Sequence, residues 1–373
     1  MNQIPQSSQI KIKPVGPLDA KIFIIGEAPG EREEKAGIPF IGASGNELQT
    51  WLNTAGILKS DCYITNVFKI RPKNNDLKNF CTTKKEQTDL FKGVATLPFA
   101  HLLPKTPISA NAYIIPEIGI NALTELFAEI EQVRPNIILA LGNTALWALT
   151  GETGISNKRG TIIPYRTPGG HETKILPTYH PAAILRQWDL RTIAISDCIK
   201  LSREYSTNIL TRTERLVYVP ETIKELDEIC ASVLSSTDIL SVDIETKNKQ
   251  ITCIGFSTSS TAAVVIPFYD PRKPDKSYWS PTSELLAWNK VRDLLGNPNQ
   301  PKLGQNFLYD IQYLWRIMGI AVRGRVHDTM LLHHSMYPEL DKGLGFLGSI
   351  YCNELAWKQM RPRGEKMEMK ADE

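Results

Sequence analysis

The chain has 373 residues, 42% of them hydrophobic, and a formal net charge of +3. That length exceeds one ordinary domain and suits two, each able to bury its own core. The near-balanced charge excludes nucleic-acid binding through bulk electrostatics, which leaves local basic clusters such as Lys69 to Lys73, Lys84–Lys85 or Arg361 to Lys366 as the candidate contacts.

In chain order, residues 20–26 hold the apolar run KIFIIG, a buried strand feeding a turn-rich loop. GNELQTWLNTAG, from Gly45 to Gly56, has helical spacing, with Leu48, Trp51, Leu52 and Ala55 on one face. CYITNVFKI reads as a second strand ending at Arg71–Pro72. Residues 73–116 are polar and Pro-rich and are expected as a long insertion or flexible flap. NALTELFAEIEQV is an amphipathic helix, NIILALG a third buried strand, NTALWALTG a helix, KILPTYHP a fourth strand, and DLRTIAISDCIKLSREY a closing helix. Strands alternating with helices imply a layered α/β sheet. The polar stretch Ser202 to Glu214 lacks an apolar period and is expected as a linker, dividing the chain into domains 1–202 and 214–373 around residues 203–213. Beyond it come LVYVPETIKELDEICASVL, a strand then a helix, and ILSVDIETKNKQITCIGFSTSSTAAVVIPF, three adjacent strands of a meander. SELLAWNKVRDLLG is a helix, PKLGQNFLYDIQYLWRIMG a short strand into a helix, and HDTMLLHHSMYPEL a helix stopped by Pro338.

Two groups of residues carry chemistry. KIFIIGEAPG, PFIGASG and YHPAAILR are separated in sequence, and the first is a Gly- and Pro-rich loop whose backbone N–H groups can approach a ligand closely. SVDIETK places Asp243 and Glu245 on one face of a strand, and GQNFLYD places Asn306 and Asp310 one helical turn apart, on one face of a helix. Asp243, Glu245 and Asp310 offer hard oxygen donors suited to Mg²⁺ or Mn²⁺. Asp328 reads as a helix cap, and His333 and His334 as helix-face residues. Six cysteines (Cys62, Cys81, Cys198, Cys230, Cys253 and Cys352) form no CxxC pair, the pattern of reduced structural thiols. The start lacks an apolar signal core, and no stretch nears the ~18 apolar residues of a membrane span. A soluble, cytoplasmic protein without a membrane partner is expected.

The first group resembles the uracil-DNA glycosylases, most closely the thermophile-type family 4, over roughly residues 17–205. The resemblance implies a three-layer α/β/α fold with a parallel sheet and a pocket for a flipped base. It places Gly26, Glu27, Ala28, Pro29 and Gly30 in the loop, with Glu27 near the attacking water. Phe40 is implied to stack on uracil, Asn66 to read its edge, and His180 to stabilise charge on the departing base. Lys158, Arg159 and Arg186 are candidate phosphate contacts. The resembled family holds a four-iron, four-sulfur cluster with four cysteines, whereas this chain has Ile70 where one is usual and lacks the N-terminal pair, so no iron–sulfur cluster is expected. Residues 73–116 are expected to fill that space. A pocket that binds uracil without excising it remains open.

The second group resembles the 3′–5′ exonuclease domain of polymerase I-type (family A, phage-like) DNA polymerases, which implies a ribonuclease H-like fold with a mixed sheet and helices. Asp243 is implied to bridge two metal ions, Glu245 to place the nucleophilic water and Asp310 to bind the second metal. Thr246, Gln305, Asn306 and Tyr309 are implied to touch the terminal nucleotides of single-stranded or primer-template DNA. A third motif, Tyr-x-x-x-Asp, is expected in the family. Tyr337 to Asp341 has that spelling but is interrupted by Pro338, so the exonuclease domain is expected to be C-terminally incomplete, ending at KMEMKADE. The resemblances imply two readings: a DNA-processing hydrolase of phage-type replication or repair, the N-terminal part of a family A DNA polymerase, in a bacterial or phage-infected cytoplasm; or a non-catalytic accessory module that binds DNA or a separate polymerase chain carrying the third exonuclease motif and the polymerase domain.

Overall fold

The computed structural model describes residues 10–97, 100–211, 213–234 and 238–352. The basic cluster at Arg361 to Lys366 and the terminal KMEMKADE therefore lie outside the described residues. Contacts divide the chain into two compact units, one up to Thr211 and one from Arg212 to Leu347, with the segment that starts at Gly348 grouped with the first.

The first unit contains β1 (Ile22–Gly26), α1 (Glu31–Ala36), α2 (Ala43–Thr54), β2 (Cys62–Asn66), β3 (Cys81–Thr82), α3 (Lys84–Val94), β4 (Tyr113–Ile114), α4 (Pro116–Val133), β5 (Ile137–Leu141), α5 (Gly142–Thr150), α6 (Ile155–Lys158), β6 (Ile163–Arg166), β7 (Glu172–Thr178), α7 (Pro181–Ile184) and α8 (Arg191–Glu204). Its main sheet has the order β2-β1-β5-β7-β6, parallel except for β6. Every residue of β1, β2 and β5 is buried, as expected of a parallel sheet covered on both faces. Alternation along β1 assigns the faces. Ile22 and Ile24 pack with Leu48, Trp51 and Leu52 of α2 and with Ala194, Cys198 and Leu201 of α8. Phe23 and Ile25 pack with Leu123, Leu126, Phe127 and Ile130 of α4 and with Trp147 of α5.

Residues 73–116 are not a flap. Phe80, Ala100, Leu103, Ile108 and Ile114 are buried in the core around α4, and a capping box at Thr83 starts α3. The sparse apolar residues of this segment sit in turns rather than in a periodic element, which hid their burial. Strand β6 lies between the helix NTALWALTG and the strand KILPTYHP, where no element is expected from the sequence. Its hairpin to β7 closes where Thr167 N–H donates to His171 O. The polar stretch after Ser202 begins inside α8 and is tied to the sheet: Asn136 donates to the carbonyls of Tyr205 (2.9 Å) and Ser206 (3.0 Å).

The second unit contains β8 (Leu216–Tyr218), α9 (Ile223–Val233), β9 (Leu240–Lys247), β10 (Gln250–Ser257), β11 (Ala262–Pro267), α10 (Pro281–Gly296), β12 (Lys302–Gly304), α11 (Phe307–Met318), β13 (Val326–Asp328), α12 (Thr329–Met336) and α13 (Leu344–Tyr351), the last running across the division. Its mixed sheet has the order β13-β12-β9-β10-β11-β8, with the meander β9-β10-β11 antiparallel. Val242 and Ile244 of β9 join Phe256, Val264 and Ile266 against Leu226, Trp288, Val291, Phe307 and Leu314 from the helices. Phe268 stacks on Trp288 with ring centroids 3.8 Å apart. Among the described residues no helix is long and apolar enough to cross a membrane.

The first unit holds a fully buried ion pair. Arg159 follows α6, is 2% exposed, and donates through Nε to Asp197 Oδ2 at 3.0 Å while Nη2 meets Oδ1. Thr178, the last residue of β7, donates to the same Oδ2 at 2.6 Å. Asp197→Ala takes the carboxylate away from a buried guanidinium and is expected to cost about 3–5 kcal/mol. Urea denaturation followed by tryptophan fluorescence would show it; a loss under about 1 kcal/mol would contradict the pairing.

Candidate active sites

The first site gathers at the carboxyl ends of β1, β2, β5 and β7. Pairing of β1 with β2 puts Gly26 opposite Asn66. A Cβ on Gly26 would stand 2.3 Å from Asn66 Oδ1 and 2.4 Å from Phe40 Cζ, so only glycine fits between them. Phe40 is 3% exposed and has φ 54°, a left-handed conformation that a bulky residue adopts only under constraint. Lys59 supplies part of that constraint by donating from Nζ to Phe40 O at 2.8 Å. The Phe40 ring lies 6.0 Å from the His180 ring.

His180 ends the turn after β7 and caps α7, with Nδ1 accepting the Ala182 N–H at 3.1 Å. An accepting Nδ1 places the neutral ring's proton on Nε2. Burial, with a smaller contribution from the Arg186 charge, pushes the imidazole down to about 4. Glu27 follows Gly26, and its Oε2 accepts the Thr144 hydroxyl at 2.5 Å. Gly142, two residues before Thr144, packs against His180 Cβ, 3.1 Å from where its own Cβ would be. Gly26, Glu27, Phe40, Asn66 and His180 are thus linked through contacts in one locality, while Ala28 packs against the neighbouring core cluster.

Sequence reasoning missed the residues that hold these groups. Thr144 fixes the Glu27 carboxylate. Lys69 is 6% exposed and donates from Nζ to Asn66 O at 2.8 Å and Glu129 Oε2 at 2.7 Å. Burial holds the Lys69 ammonium below its usual range. Lys69 is therefore a buried anchor of Asn66 and not a surface cation, and Arg71 of the same basic run pairs with Glu34 at 3.1 Å. The expected phosphate contacts are also placed differently. Arg159 is buried against Asp197, Lys158 pairs with Glu152, and Arg186 is exposed. A lysine three residues beyond a strand-end Asn reads as surface in a sequence, because nothing there shows Glu129 packed opposite.

Cys62 and Cys198 are core side chains, burial pushes the Cys62 thiol up to about 12 and the Cys81 thiol up to about 11, and among the described residues no three His, Cys, Asp or Glu side chains are gathered for a metal.

The second site lies on β9 and α11. Along β9 the burial alternates, with Val242 and Ile244 inward and Asp243 and Glu245 on the exposed face. Asp310 on α11 is buried and accepts the Ile244 N–H at 3.0 Å, which ties its helix to the strand carrying the other two. Burial raises the Asp310 carboxyl to about 6, the Ile244 hydrogen bond opposes the rise, and the Asp243 charge adds to it. Asp243 is raised by burial and by Glu245. Strand β10 is bulged between Ile251 and Cys253, and Thr252 in the bulge donates to Glu245 O at 2.9 Å. Tyr309 OH and Thr246 Oγ1 are 3.2 Å apart at the edge of this site.

Two residues depart from the expected arrangement. Asn306 is not on the inner face of α11: it is its exposed N-cap at φ 53°. Gln305 donates to Lys342 O at 2.8 Å and accepts from Thr329. Both lie beside Asp328, whose carboxylate accepts the N–H groups of Asn306 (3.0 Å), Phe307 (2.8 Å) and Met330 (2.8 Å). Asp328 is thus the cap expected for α12 and also the anchor of the α11 start. Helix α12 ends at Met336, so Tyr337 and Asp341 share no helical face.

Three carboxylates with no cationic partner among the described ion pairs fit a hard divalent ion in donor chemistry. They are not a ready-made cluster: among the described residues no three His, Cys, Asp or Glu side chains are gathered for a metal.

Comparison with known proteins matches both halves. The uracil DNA glycosylase superfamily profile covers residues 13–200, and a 3′–5′ exonuclease profile of the family A DNA polymerases covers residues 217–363. A type-4 uracil-DNA glycosylase of Thermotoga maritima is 34% identical over 189 residues, 50% of this chain and 78% of that protein. One of Pyrobaculum aerophilum is 33% identical over 195 residues, 51% of this chain and 76% of that protein. A DNA polymerase of Bacillus phage SP01 is 25% identical over 264 residues, 61% of this chain but 27% of the polymerase. The chain belongs to the uracil-DNA glycosylase superfamily and carries a 3′–5′ exonuclease domain after it on the same polypeptide.

Proposed function

We propose that the first domain excises uracil from DNA and that the second removes nucleotides from DNA 3′ ends with Mg²⁺ or Mn²⁺. The observation that carries the first activity is the close approach at Gly26. It sets the Asn66 amide beside the Phe40 ring, with a neutral imidazole next to them. A flipped uracil would lie against Phe40 with its edge on Asn66. His180 Nε2–H would donate to the oxygen on which charge collects as the base leaves. Thr144 holds the Glu27 carboxylate for the water that attacks the sugar. None of these roles needs an iron–sulfur cluster.

For the second activity, Asp243, Glu245 and Asp310 would hold the metal, which when bound activates water and stabilises the leaving 3′ oxygen. Thr246 and Tyr309, hydrogen-bonded to each other, border the carboxylates and would contact the terminal nucleotide. The phage polymerase match spans more of the chain than the exonuclease domain alone, so it reaches into the glycosylase domain. That reach supports a place in phage-type DNA replication, with DNA as the substrate of both domains and a polymerase chain as partner.

One gel tests both activities. The protein is incubated with a 5′-labelled single strand containing one deoxyuridine, with Mn²⁺ or with chelator, and half of each sample is treated with alkali. An alkali-dependent band at the uracil position is expected with and without metal, and a ladder from the 3′ end with metal only. Gly26→Ala and His180→Ala should each lower the band by about 10²-fold or more and spare the ladder. Asp243→Ala should lower the ladder by roughly 10³-fold and spare the band. A band that survives both pocket substitutions sinks the glycosylase assignment.

The pH dependence has a definite sign. His180 is neutral above about pH 4, so excision should lose nothing to His180 protonation between pH 8 and pH 5. The stability that comes from burying the neutral ring is lost as pH falls from about 6.5 toward 4. A fall in excision with a midpoint near pH 6.5 that His180→Asn abolishes would contradict this. Asp310 must shed a proton held to about pH 6 before it binds an ion, so Mn²⁺ affinity should weaken on going from pH 7.5 to pH 5. Calorimetric titration in two buffers of different ionisation enthalpy would show the released proton.

A further inference from the structure

We propose that Trp188 is a stacking platform for a DNA base beside the glycosylase pocket, a contact additional to the pocket itself. The proposal rests on the reading of the first domain as DNA-binding. A tryptophan is usually highly buried, but Trp188 is 60% exposed. It sits in a single 3₁₀ turn, Trp188–Leu190, between α7 and α8. Its ring is nonetheless held. The Arg191 guanidinium lies over it, 4.8 Å from the centroid, and Arg191 Nε donates to Glu47 Oε1 at 2.5 Å. That oxygen also accepts the indole N–H of Trp51 at 2.6 Å, and Trp51 is fully buried under the sheet. A chain of contacts from the core therefore steadies an aromatic surface that is itself left to solvent.

Its place follows from the same contacts. Helix α7 is capped by His180 and packs against both α2 and the Trp188 turn. Arg191 reaches Glu47 on α2, a helix that begins three residues after Phe40. The platform thus stands where the His180 and Phe40 segments meet. Arg186, exposed two residues before it, adds a positive charge to the same turn. A flat π surface with a cation on one face and a second cation nearby matches a nucleobase and its phosphate. The occupant we assign is an unpaired base next to the extruded nucleotide, on single-stranded or locally opened DNA.

The test is fluorescence anisotropy of a labelled single strand on the full chain, run in chelator so that the strand is not shortened from its 3′ end. A thymidine-only strand and a deoxyuridine strand are both used, so the readout does not depend on catalysis. Trp188→Ala should weaken binding of both strands by roughly 5- to 100-fold, the range for loss of one stacked base, and Trp188→Phe should restore most of it. In excision assays the Ala variant should raise KM by a similar factor and leave kcat within about twofold. Binding of Trp188→Ala within twofold of the parent would overturn the proposal. So would a Phe variant as weak as Ala, or a parent chain that binds neither strand. If the deoxyuridine strand is bound but never excised, the excision reading fails while the anisotropy series still decides the platform.

Discussion

Strands β1 and β2 run parallel and in register, which sets Gly26 beside Asn66 and leaves room for a hydrogen and nothing larger at that α-carbon. The rest of the first site is arranged around this contact. Phe40 closes it from one side in a strained backbone conformation that Lys59 helps to hold. Lys69 and Glu129 secure the backbone of Asn66 from behind. The functional groups all leave the sheet at the same end: Glu27 after β1, Asn66 at the end of β2, Thr144 after β5 and His180 after β7. That is where open α/β sheets place their ligands, because the strand carboxyl ends open into a shared crevice.

The two sites are built by opposite means. The first site is made mainly by packing: Gly26, Phe40 and Asn66 meet at van der Waals contact, burial disfavours a charge on His180, and Lys69 holds the backbone carbonyl of Asn66. The exonuclease site is made by uncompensated charge. Strand alternation brings Asp243 and Glu245 to one face, and the Ile244 N–H between them holds Asp310. The carboxyls of Asp243 and Asp310 are raised because burial and like charge both oppose ionisation. Like charges brought together in this way repel one another, and a divalent cation held between them would relieve that repulsion.

Much of this was legible in the sequence because the informative signals were local. The apolar run at Ile22–Ile25 marks a strand buried on both faces, and the alternation through Asp243 and Glu245 marks one buried on a single face. The motif residues Gly26, Phe40, Asn66 and His180 came together as their order implied. What stayed hidden depended on distant partners. Lys69 and Arg159 read as exposed cations because Glu129 and Asp197 are 60 and 38 residues away. The segment 73–116 read as a flap because its buried residues have no period. Asn306 was put inside a helix by i, i+4 counting, but the helix starts one residue later.

The Asp328 carboxylate bridges the starts of two helices, accepting two amides of one and an amide of the other. Helix α11 and helix α12 therefore cannot fray independently at these ends. Losing the carboxylate from either start leaves it badly aimed at the other, so the three amides should exchange with solvent in a single opening event. Because α11 carries Asp310 and Tyr309, that event would also loosen the acidic site. The order of the Asp310 helix is in this sense tied to a carboxylate that is spent on backbone amides.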